Sequence, residues 1–132
     1  MSKIMAVAIA AASVSALSLL TVPSASAITS SSIPFNFSYG PAMGDMWSRE
    51  FHPASDGRVC VAITNSSNSA LTIRPYRVLP GPIPDQPAGP AKYYPAADGH
   101  AHSFCWTGFD PSHDYELYFS GGYLRGTGRV YH

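Results

Sequence analysis

Charge is scarce in this chain, and what there is cancels. Only 12% of its 132 residues are Asp, Glu, Lys or Arg, eight basic against eight acidic. So balanced a chain has no net field to draw it to nucleic acid or to an anionic lipid surface. Lysine is scarce among the basic residues: Lys3 and Lys92 stand against six arginines, a bias toward directed hydrogen bonds over diffuse positive charge. No G-x-S-x-G, H-E-x-x-H or C-x-x-C occurs. With those absent, no catalytic signature is present, and a non-catalytic protein without a cofactor is the expectation. Beyond residue 27 there is no apolar run long enough to span a bilayer, and no helical period survives.

What is present begins with the leader. Met1-Ser2-Lys3 is a short positive start, and Ile4 to Leu20 is apolar. Ala25-Ser26-Ala27 then fits the small-x-small pattern of signal-peptidase cleavage. Residues 1–27 therefore read as a secretory signal peptide, and the mature chain as a secreted, extracellular protein that does not insert in the membrane. The 105 residues from Ile28 to His132 suit one domain. Residues 28–34 read as a flexible serine-rich lead, and 35–132 as the domain. Among its residues are seven basic and eight acidic side chains, a formal net charge of minus one.

Alternation dominates the rest. Phe35, Phe37 and Tyr39 share one side of IPFNFSY, and Asn36 and Ser38 the other. That is the period of a half-buried strand. Met46–Phe51 is a weaker candidate. Arg58–Thr64 is the clearest strand, Ala70–Ile73 another, interrupted at Pro75 by a residue that has no N–H for a ladder and so marks an edge or bulge, with Tyr76–Leu79 as a candidate continuation. Ala101–Thr107, Tyr115–Phe119 and the final YLRGTGRVY follow, the last weakened by Gly126 and Gly128. Six to eight short strands separated by turns predict an all-β fold, an antiparallel β-sandwich of jelly-roll-like form.

Cys60 and Cys105 are the only cysteines, and in an exported chain two cysteines read as one disulfide. Cys60 lies out of phase with Val59, Val61 and Ile63, and Cys105 out of phase with Phe104 and Trp106. If the large side chains face the core, both sulfurs face outward. They then meet only where their strands are neighbours in one sheet. The competing arrangement crosses the core between sheets and puts Val59 and Val61 outside.

Between these strands lies PGPIPDQPAGPAKYYPAADG, Pro80 to Gly99, with six prolines. Such a run favours extended, stiff backbone. Two uses compete: a protruding recognition loop, or a crossover whose tyrosines cover the open end of the core. As a recognition loop, its contacts would be Pro84, Asp85, Lys92, Tyr93 and Tyr94, since tyrosine buries much area at low entropic cost. Protein recognition through this loop, as in an inhibitor of an extracellular enzyme, is the leading functional expectation. A glycan-binding module is the alternative, with Trp47, Trp106, Tyr118, Tyr123 and Tyr131 as aromatic candidates. Trp106 follows the core parity and Tyr118 opposes it, so Tyr118 and Tyr123 are the residues named for that site. A third reading takes His100 and His102, with Asp98, as weak ligands for zinc or copper. Asn36-Phe37-Ser38 and Asn65-Ser66-Ser67 match the N-glycosylation pattern. The closing run FCWTGFDPSHDYELYF is similar to the way many secreted jelly-roll and carbohydrate-binding modules finish, and it implies a β-sandwich with no residue-level assignment.

Overall fold

The computed structural model describes residues 31–132, and the expected signal peptide and residues 28–30 lie outside that range. Eleven strands are present among the described residues: β1 Ser31–Ser32, β2 Phe35–Met43, β3 Met46–Trp47, β4 Phe51–His52, β5 Val59–Asn65, β6 Leu71–Arg77, β7 Gln86–Pro87, β8 Lys92–Tyr94, β9 His102–Trp106, β10 Tyr115–Gly121 and β11 Tyr123–Tyr131. They form a four-stranded sheet, β9-β5-β11-β2, and a seven-stranded sheet, β1-β4-β10-β6-β7, in which β3 also pairs with β10 and β8 with β6. All pairings are antiparallel except β1 with β4. The fold is the expected all-β sandwich.

Inward positions alternate as the period-two pattern requires. Val59, Val61, Ile63, Leu124 and Val130 of the smaller sheet meet Phe51, Leu71, Ile73, Leu117 and Phe119 of the larger in one core. Aromatic pairs join the layers: Phe37 sits edge-on to Phe119 at 5.8 Å between centroids, and Phe35 lies 6.1 Å from Phe51. Gly126 and Gly128 do not simply weaken β11. A Cβ on Gly128 would stand 2.4 Å from the Phe37 ring, and one on Gly126 2.5 Å from the Tyr39 hydroxyl. Both glycines face inward and leave room for the rings of β2.

Cys60 and Cys105 stand directly opposite each other on β5 and β9, with a disulfide between them and Cα atoms 4.0 Å apart. The neighbouring-strand arrangement therefore holds, and the core-crossing one does not. Cys60 is fully buried all the same. Its ladder neighbours are its disulfide partner Cys105 on one side and the larger Tyr131 on the other, and the two flank it on the outer face.

Three local expectations are corrected. Residues 31–34 are not a flexible lead: Ser31 and Ser32 pair with Phe51 and His52, and Ile33 packs against the core. Pro75 does not interrupt its strand: β6 runs through it without a register shift and continues to Arg77. The Pro75 carbonyl accepts from Ala88 N (2.8 Å), and N and C=O of one strand residue point the same way. The missing N–H thus faces the gap between β7 and β8, while β10 pairs undisturbed on the other side. Third, residues 80–99 do not protrude throughout as a loop, since β7 and β8 both lie within them and both pair with β6.

Candidate functional site

Period-two alternation in β6 and β10 sends every second side chain to the outside of the larger sheet. On β10 these are Glu116, Tyr118 and Ser120; on β6 they are Thr72, Arg74 and Tyr76. The register sets Trp47, Tyr118 and Arg74 in one row across β3, β10 and β6, with Glu116 opposite Tyr76 in the next. Three rings gather there. Trp47 lies 4.8 Å from Tyr118 and 5.0 Å from Tyr76, and Tyr76 lies 6.0 Å from Tyr118. Their planes meet at 45° to 82°, so they form a faceted cluster with Trp47 at its outer side, 47% exposed.

Polar groups frame the rings. The Tyr118 hydroxyl donates to Asp45 Oδ2, and that bond raises the Tyr118 pKa above the usual tyrosine value by stabilising the protonated phenol. The Arg74 guanidinium lies 5.9 Å from the Tyr76 ring centre, with its Nε donating to Gly89 O at 2.9 Å. Ring faces and edges, a carboxylate already oriented by a hydroxyl, and a guanidinium fixed by a backbone oxygen make up a surface that can stack on C–H bonds and hydrogen-bond hydroxyls. Glu116 lies on the same face, opposite Tyr76.

The proline-rich segment serves this face as a strap. Leu79 N donates to Asp85 Oδ1 (3.1 Å), Trp106 Nε1 to Pro90 O (2.7 Å) and Asn65 Nδ2 to Pro95 O (3.1 Å). Gly89 packs so closely beneath Trp106 that a Cβ would stand 2.8 Å from the indole. Tyr94, expected as a surface contact, is fully buried, and its hydroxyl donates across the core to Val61 O at 2.8 Å. Burial also raises the Tyr94 pKa. The crossover alternative describes this tyrosine correctly, because β8 must present every second residue to the core. Asp85 holds the strap's own turn, and Lys92 is half-buried opposite Ile73. Pro84 is exposed, and Tyr93 is 64% exposed.

The remaining candidates disperse. Tyr123 is on β11, opposite Met43 in the smaller sheet, and no ring pair joins it to the cluster among the described residues. Gly121-Gly122 is where the chain passes from one sheet to the other, which separates Tyr118 from Tyr123. Trp106 is in the core, and Tyr131 shares a hydrogen bond with Ser103 on the outside of the smaller sheet. His102 Nε2 lies 2.8 Å from Asp98 Oδ2, while His100 contributes its backbone N–H to Asp98 Oδ1. No group of three or more His, Cys, Asp or Glu is placed to hold a metal among the described residues. Asn65 is buried, with its amide committed to Ser69 O and Pro95 O, so the second glycosylation triplet is structural; Asn36 is exposed.

Tyr76 is the site residue that sequence reasoning missed. Its signal is the alternation Thr72, Arg74, Tyr76, which the proline at position 75 obscures in the sequence. Comparison with protein-family models, curated proteins and solved structures finds no match to this chain.

Proposed function

We propose that the mature chain is a secreted, non-catalytic module that binds neutral glycans on the outer face of its larger sheet. The observation that carries this is the outward-facing trio of exposed Trp47 and half-buried Tyr76 and Tyr118, mutually in contact and framed by Asp45 and Arg74. An exposed Trp47 seated against two half-buried tyrosines presents an apolar ring surface that a ligand can cover. A pyranose offers what it lacks: a C–H face for Trp47, and hydroxyls for the carboxylate and guanidinium beside it.

The test is retention on a panel of immobilised neutral polysaccharides. Wild-type protein is retarded by at least one, and Trp47→Ala or Tyr118→Ala weakens that binding at least tenfold, about 1.4 kcal/mol. No retention on any member, or retention indifferent to both substitutions, contradicts the reading. A second reading draws on the exposed Ile83 and Tyr93 of the strap, which suit a protein partner. It predicts that capture of an extracellular protein depends on Tyr93 and ignores Trp47.

A further inference from the structure

The smaller sheet differs from the larger in one respect that net charge conceals. Its four strands, FNFSYGPAM, VCVAITN, HSFCW and YLRGTGRVY, contain no Asp or Glu. Two arginines, Arg125 and Arg129, alternate with Tyr123, Thr127 and Tyr131 on the outward side of β11. Neither Arg125 nor Arg129 has an ion pair among the described residues, and both are exposed. The carboxylates that flank this sheet are engaged: Asp56 accepts from Arg58 N and lies 3.4 Å from His132, and Asp98 is held by His102.

The same face is indented. A shallow, open depression of about 540 Å³ lies over β2, β5 and β11, with Asn36, Ser38, Ala62, Thr64, Thr127 and Arg129 among its lining residues. The register explains its form. Arg129 lies between Asn36 and Ala62, and Thr127 between Ser38 and Thr64, so a row of short hydroxyl and amide side chains runs beside the small Ala62. Arg125 stands four residues from Arg129, about 13 Å along the strand at some 3.3 Å per residue. Short hydrogen-bonding side chains between two unpaired guanidiniums suit a ligand that is hydroxylated along its length and carries a negative group at intervals. Arginine's planar fork matches a carboxylate in two parallel hydrogen bonds.

We propose that the outer face of the four-stranded sheet is a second binding site, specific for an acidic polysaccharide of the uronate class. Its carboxylates pair with Arg129 and Arg125, and its ring hydroxyls meet Thr64, Thr127, Ser38 and Asn36. This site stands on its own observations and does not depend on the aromatic face. Together the two faces would make one small domain a two-sided link between glycan chains.

The experiment is a set of calorimetric titrations of the mature chain with polygalacturonate, a sulfated polysaccharide and a neutral polysaccharide. Wild-type protein binds the polyuronate, and more weakly as salt is raised from 50 to 300 mM, because exposed charges are screened. Arg125→Gln with Arg129→Gln lowers that affinity at least tenfold, and Ala62→Glu, which puts an acid in the depression, abolishes it. Trp47→Ala leaves it unchanged. Thermal midpoints of the arginine variants stay at the wild-type value, since both side chains are exposed. No binding of the polyuronate, binding indifferent to the two arginines, or equal affinity for the sulfated chain overturns the proposal. Failure of the neutral polysaccharide alone overturns only the aromatic-face reading.

Discussion

The outer faces of the two sheets are built by the same alternation and carry opposite chemistry. On the larger sheet, Trp47, Tyr76 and Tyr118 cluster, with Asp45 and Arg74 each already bonded to a neighbour. On the smaller, short polar side chains and Arg129 line a shallow depression, and Arg125 lies further along the same strand, with no carboxylate in any strand. The first face offers apolar area and preset hydrogen bonds; the second offers charge that has yet to find a partner. A net charge near zero is thus the sum of two unlike surfaces, and the balance read from composition hides both.

The largest expected effect takes both faces down together. The disulfide closes a separation of 45 residues across β5 and β9. The chain-entropy relation assigns about 4 kcal/mol to such a loop. Cys60→Ala with Cys105→Ala should lose about that much in a urea melt. A loss below about 1 kcal/mol would show that the strands are held without the bridge.

Next come the substitutions that separate the faces. Trp47→Ala should cost at least tenfold on neutral glycan and nothing on polyuronate, and the paired arginine changes should do the reverse. If either variant weakens both ligands, the faces are not independent.

A smaller effect lies between the layers. The Tyr39 hydroxyl is buried with no hydrogen-bond partner among the described residues, and burial pushes its pKa up to about 12. An orphaned buried hydroxyl carries a desolvation penalty of about 1–3 kcal/mol. Tyr39→Phe should therefore leave stability unchanged or raise it by about 1 kcal/mol, with ligand binding on both faces intact. A clear loss of stability would mean that the hydroxyl has a partner.

The smallest effect is at the rim of the smaller sheet. The His102 hydrogen bond, then the His100 backbone N–H, holds the Asp98 carboxyl below the usual carboxylate range. Folding therefore favours the ionised form, so its contribution is present above the unfolded value, near pH 4, and is lost as pH falls through the lower folded value. Asp98→Asn should lower the thermal midpoint slightly at pH 7, and the gap to wild type should close as pH falls below about 4. A gap that persists into strong acid would rule out the carboxylate as its source.

Much of this was legible in the residues. Phe35-Phe37-Tyr39 and Tyr115-Leu117-Phe119 announce strands because burial on one face imposes period two, and the parity of Cys60 and Cys105 places their strands side by side. The strap was not legible. Six prolines say extended backbone, but whether extended backbone protrudes or lies against a sheet edge depends on acceptors and donors far away in sequence, Trp106 and Asn65 among them. Tyr94 illustrates the cost: one position along β8 separates it, fully buried, from Tyr93, 64% exposed. The aromatic cluster was half legible. The outward parity of Tyr118 could be read, but its meeting with Trp47 and Tyr76 rests on which strands pair, and nothing local in the sequence states that.

The two tryptophans supply the most direct test of the aromatic-face reading. Trp47 is exposed in the ring cluster, while Trp106 is in the core with its indole N–H bonded to Pro90 O. In an NMR titration of the mature chain with a neutral oligosaccharide that it retains, the Trp47 indole N–H resonance should shift in a saturable way and that of Trp106 should stay in place. If saturating ligand leaves Trp47 unmoved, the glycan does not bind on the outer face of the larger sheet.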